Sequence, residues 1–108
     1  MTAISLREAA KQLRHRGAGI RATGESEMDL DLQAYGDSWC ALATLLDGDG
    51  EGGLLGRRDF LAKQATDPWV AQYSEFSRTI ARRRDELEMA LTLVAAYVSA
   101  VLGTTVEA

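Results

Sequence analysis

The chain has 108 residues, 46% of them hydrophobic and 26% charged, and a formal net charge of −4. That length suffices for one domain with its own core, the composition is that of a globular rather than a disordered chain, and the acidity argues against nucleic acid as a partner. One proline and 6% aromatic residues favour an all-helical chain, and the single Cys40 leaves neither an internal disulfide nor a thiol pair for a metal.

The opening stretch MTAISLREAAKQL lacks the long apolar core of a signal peptide. The apolar run from Met89 to Leu102 is too short to span a bilayer and contains Thr92 and Ser99. The expectation is a protein made in the cytoplasm with no membrane span, any export using a route that cleaves no signal peptide.

Ser5 with Glu8 three residues on reads as a capping box that opens a helix. Leu6, Ala10, Leu13, Gly17 and Ile20 then form one helical stripe. Gly17, Gly19 and Gly24 each cost about 1 kcal/mol relative to alanine in a helix, which predicts a break between 17 and 25, with Ser26 or Asp29 recapping a second segment. In that segment Met28, Leu32, Tyr35, Trp39, Leu42 and Leu46 recur at alternating spacings of four and three, as a helix-pairing seam requires.

The glycines after Asp47 end the helix. Arg57 to Ala65 is a candidate short helix, and Asp67-Pro68 is a strong helix start, an acidic N-cap followed by proline in the first turn. From there Trp69, Tyr73, Phe76, Ile80, Arg83 and Leu87 keep the rhythm of four and three, which continues through Tyr97 and Val101. The fold expected is all-α: an antiparallel helical hairpin with a glycine-rich tip, helical over 5–46 and 59–102 with a loop at 47–58, assembling into a four-helix bundle. Leu46 would lie near Trp69 and residue 32 near 83.

Charge is blocked along the chain. Residues 1–23 are basic, residues 25–51 carry acids and no base, and 57–84 are basic again, ending in Arg82, Arg83 and Arg84. In the expected hairpin Glu27, Asp29 and Asp31 would meet those three arginines. The plain alternative is that both blocks are solvated faces with ion pairs worth about 0–1 kcal/mol each. The C-terminal helix has a second apolar stripe beside the first, and Leu91, Val94, Val98 and Leu102 are the expected contacts to a partner, another helical chain in a homo- or heterodimer.

Two further features compete for a function. DGDGEGGL places Asp47, Asp49 and Glu51 at positions 1, 3 and 5 of an EF-hand loop and Gly52 at its turn glycine. The bidentate position 12 is Arg58, and only Asp59, one residue later, could replace it, so a solvated tip is the favoured reading and no metal is assigned. His15 lies in the basic RHR triplet, with no second ligand near it in the sequence. No paired carboxylates, Ser–His–Asp set or P-loop are visible, so the expectation is a protein that is not an enzyme and needs no cofactor.

LREAAKQL near the start, Ile20, then GDSW at 36–39, followed by a heptad helix ending VAAYVSAVLGTTVEA, resembles the WXG family of bacterial helical hairpins exported by type VII secretion systems. The resemblance implies a hairpin that pairs with a second chain as a four-helix bundle, acting as a secretion substrate, partner or chaperone. Where that family has Trp-x-Gly this chain has Trp39-Cys40-Ala41, and no acid follows Tyr97 four residues later. Thr66-Asp67-Pro68 is similar to the turn of type III needle hairpins, the other secretion reading.

Overall fold

The computed structural model describes residues 2–108, and most of them are helical. Helices α1 (Leu6–Ser26), α2 (Leu30–Asp47), α3 (Gly53–Ala65), α4 (Pro68–Ala71) and α5 (Ser74–Leu102) follow in order. They are flanked by two-residue strands, β1 (Ile4–Ser5) and β2 (Val106–Glu107), which pair in parallel with Ile4 opposite Val106. This bridge between the chain ends is not anticipated by any periodicity in the sequence.

A helical hairpin is present, but its partners are α1 and α2, which make the most extensive contact in the molecule. The break expected between 17 and 25 does not occur: Gly17 and Gly24 lie in the contact with α2, and only Gly19 faces open space. A Cβ on Gly36 would come within 2.6 Å of the Gly17 carbonyl oxygen and the Arg21 nitrogen. Only bare backbone on both helices permits that approach. The hairpin turns over Glu27–Asp29, where Asp29 caps α2 by accepting a hydrogen bond from the Leu32 N–H at 3.0 Å.

The glycine segment is shorter than the expected loop over 47–58, since α3 begins at Gly53. Asp67 caps α4 as expected, its carboxylate accepting from the Trp69 N–H at 2.8 Å. The helix then breaks at Gln72–Tyr73 instead of running unbroken, and Tyr73 is extended, with φ −114° and ψ 103°. The break gathers Trp69, Tyr73 and Phe76 into one aromatic cluster with ring centroids 5.1–5.7 Å apart.

The core lies where four elements meet. Leu6, Ala9, Ala10 and Leu13 of α1 pack with Ala43 and Leu46 of α2, Leu55 and Leu61 of α3, and Leu87, Leu91, Ala95, Val98 and Leu102 of α5. Each fully buried leucine contributes about 1.5–3 kcal/mol. No residue between Ser74 and Glu86 is buried, so the N-terminal half of α5 is an arm projecting from the core.

At the opposite end of α5, Arg16 donates to the Leu102 carbonyl oxygen at 3.1 Å, which holds that helix end beside the middle of α1. Helices of 21 and 29 residues are about 32 and 44 Å long. The 60 Å length of the molecule therefore requires the hairpin and the arm to extend in opposite directions from the core. Its radius of gyration, 17.1 Å, compares with about 13 Å for a compact domain of this size.

Candidate interaction surface

The acidic loop is committed to the fold. Arg14 of α1 holds Asp47 through two hydrogen bonds, at 2.7 and 3.2 Å, and reaches Asp49 at 3.2 Å. Asp47 also accepts from the Asp49 N–H at 2.9 Å, and Asp49 accepts from the Thr44 hydroxyl at 3.0 Å. The Arg14 hydrogen bond, with help from the Asp49 N–H, pulls the buried Asp47 carboxyl below its ordinary pKa despite the opposing effect of burial, and Asp47 in turn raises Arg14. Asp59 pairs with Arg7 at 2.7 Å. Three of the four carboxylates of the calcium alternative, Asp47, Asp49 and Asp59, are thus occupied by arginines, and Glu51 is exposed. Among the described residues no three His, Cys, Asp or Glu side chains converge on one point.

The acidic block finds its bases on α1, not on α5. Arg21 pairs with Glu25 at 3.1 Å and with Asp37, and the hydrogen bond it donates to the Asp37 carboxylate raises the Arg21 pKa. The expected meeting of Glu27, Asp29 and Asp31 with Arg82, Arg83 and Arg84 does not form within the chain. The sequence signal for Arg14 and Arg21 was the basic block over residues 1–23; it complements the same acids equally well, and the shorter connection prevailed.

The expected seam is divided by this pairing. Leu46 and Leu87 are buried, and Leu32, Trp39, Leu42 and Ile80 are half-buried. Met28, Tyr35, Trp69, Tyr73 and Phe76 are exposed, because α2 packs on α1 and the arm of α5 meets only the short α3 and α4. The expected partner contacts fare the opposite way. Leu91, Val98 and Leu102 are buried in the chain's own core, with Val94 packed against it. The stripe was correctly apolar, but α1 and α3 cover it, so it is closed to a partner in this conformation.

What remains open on α5 is a different stripe, Met89, Leu93 and Tyr97, with Leu93 73% and Tyr97 62% exposed. Tyr97 and Val101 line a shallow groove with Leu13 of α1 and Tyr35, Ser38, Trp39 and Leu42 of α2. Tyr35 and Trp39 meet edge-on there, 5.9 Å between ring centroids. Groove and stripe make one apolar surface at the junction of three helices. Cys40, beside it in sequence, is half-buried against α1, its Sγ 3.8 Å from the Arg14 carbonyl oxygen. His15 is exposed on α1.

The total surface is 7085 Å², against about 5,900 Å² for a globular monomer of this mass. No described helix is long and apolar enough to cross a membrane. Comparison with protein-family models, with curated proteins and with solved structures finds no match to this chain.

Proposed function

We propose that the protein is a non-enzymatic helix-pairing module that binds another helical chain along the groove formed by α1, α2 and α5. The observation that carries this reading is the apolar surface of exposed Tyr35, Leu93 and Tyr97 beside half-buried Trp39 and Leu42, on a chain whose core is already closed. An amphipathic helix is the occupant such a groove suits, since its i, i+3, i+4 and i+7 side chains match a shallow groove lined mainly by apolar side chains. Aromatic side chains at the centre of the surface are the usual anchors of such an interface.

The more particular reading, a WXG-like substrate, partner or chaperone of type VII secretion, is supported by the sequence layout and by the helical hairpin. The placement of tryptophan counts against it: Trp39 lies within α2, and the hairpin turns over Glu27–Asp29. The helix-pairing reading stands without it.

The test is a mass measurement by light scattering on the full chain, purified alone and after coexpression with its genomic neighbours. In a Trp69→Phe background, Trp39 fluorescence reports the groove and should shift to the blue on complex formation. Trp39→Ser with Tyr97→Ser should weaken binding at least tenfold. A complex that forms without a shift in Trp39, or one that the double substitution leaves unchanged, refutes the groove.

A further inference from the structure

The two ends of the rod carry opposite charge and matching apolar surface. At one end the α1–α2 turn presents Met28 and Leu30, 88% and 77% exposed, among Glu27, Asp29 and Asp31. Met28 has φ +54°, a left-handed conformation in which a side chain is strained and glycine is the ordinary occupant. Nothing in the chain contacts this side chain closely enough to bury it, so the fold bears the strain without gaining packing from it.

At the other end the arm of α5 presents the Trp69–Tyr73–Phe76 cluster. Ile80 and Arg83 continue its stripe at helical spacing, and Arg84 lies beside it. Among the described residues Glu27, Asp31, Arg83 and Arg84 form no ion pair, while Arg7, Arg14 and Arg21 all do. Acids without a base therefore gather at the turn, while residues 69–84 of the arm carry four arginines against one acid, Glu75, with Asp67, Asp85 and Glu88 flanking them.

We propose that a second copy of this chain occupies both ends: the turn of one copy seats Met28 against the aromatic cluster of the other, with Glu27 and Asp31 facing Arg83 and Arg84. The proposal deepens the helix-pairing reading and rests on it, but it uses surfaces outside the groove. Thioether–aromatic contact suits a flexible methionine and a ring cluster. The charges around it select the register and oppose any parallel arrangement, which would set acid on acid. Two copies laid antiparallel close both contacts at once, giving a self-complementary pair rather than an open chain.

Charge exchange tests this. One variant carries Glu27→Lys and Asp31→Lys; the other carries Arg83→Glu and Arg84→Glu. Sedimentation equilibrium on the full wild-type chain at tens of micromolar should give the mass of two chains, weakening at least tenfold at 1 M salt, where screening acts within about 3 Å. Each variant alone, its helicity checked by circular dichroism, should pair at least tenfold more weakly. An equimolar mixture of the two should regain pairing, because each reversed end then meets an end of opposite charge. Met28→Gly should weaken pairing at least tenfold without lowering the melting temperature at a dilution where the wild type is also monomeric, which a purely structural role for Met28 would not produce. A monomeric wild type, open-ended growth, variants that pair as the wild type does, or a mixture that fails to recover overturns the proposal. If the wild type is monomeric yet binds a coexpressed partner through Trp39 and Tyr97, self-pairing is wrong and the groove reading survives. If neither occurs, both fail.

Discussion

A Cβ at Gly17 would lie 2.8 Å from the carbonyl oxygen of Gly36, across the contact between α1 and α2. The same atom would also meet the Cys40 sulfur at 2.8 Å and the Trp39 Cβ at 2.9 Å, so neither helix can yield locally. The separation of the two helices is set here, and with it the position of Trp39 relative to α5.

Gly17→Ala and Gly36→Ala should each destabilise the chain by about 1–3 kcal/mol through overpacking. Gly19→Ala, on the same helix with open space around it, should stabilise by up to about 1 kcal/mol through helix propensity. Urea denaturation of the three variants checks the contrast. Equal effects at 17 and 19 would mean that α1 and α2 do not approach as closely as described.

The Arg14–Asp47 pair makes stability depend on acid. Asp47 is depressed in the folded state, chiefly by the Arg14 hydrogen bond, relative to about 3.9 in an unfolded chain. Its contribution is present above the unfolded value and is lost as pH falls through the lower folded value. Asp47→Asn should cost roughly 1–3 kcal/mol at pH 7, and the difference from wild type should shrink below about pH 4. Thermal melts of both proteins from pH 7 to pH 2 measure it; a constant difference across that range contradicts the assignment.

Two residues two positions apart on α5 should behave oppositely. Leu91 is fully buried and Leu93 is largely exposed. Leu91→Ala should cost about 2–5 kcal/mol, whereas Leu93→Ala should alter stability by less than about 0.5 kcal/mol. Phe76→Ala should also cost less than a core phenylalanine would, because the ring is half-exposed on the arm. Chemical denaturation of dilute protein decides the ranking.

The glycine loop should not bind calcium tightly. Binding would require Arg14 to release Asp47 and Asp49, and Arg7 to release Asp59. Titration calorimetry should show no site in the sensor range, and a dissociation constant below about 10 μM would overturn this expectation.

Local signals in the chain marked its helix starts and apolar faces, though not the break at Gln72–Tyr73 or the bridge between β1 and β2. Ser5, Asp29 and Asp67 cap helices where their side chains place them. Asp47 and Gly48 close α2, and the apolar spacings mark α1, α2 and α5 as helices with one face to bury. What those signals leave open is which face meets which. A stripe repeating every three and four residues fits any similar stripe, and the acids of 25–51 complement the arginines of α1 as well as those of α5. The three-residue turn at Glu27–Asp29 gives α1 and α2 the smaller loop-closure cost, and glycine on both helices lets their backbones touch. Once that pair forms, α2 is no longer free to face α5. Leu91, Val98 and Leu102 then turn to the core, and Tyr97, Trp69 and Met28 are left exposed. Partner choice among helices is a competition between whole surfaces, which is why only the tertiary structure could decide it.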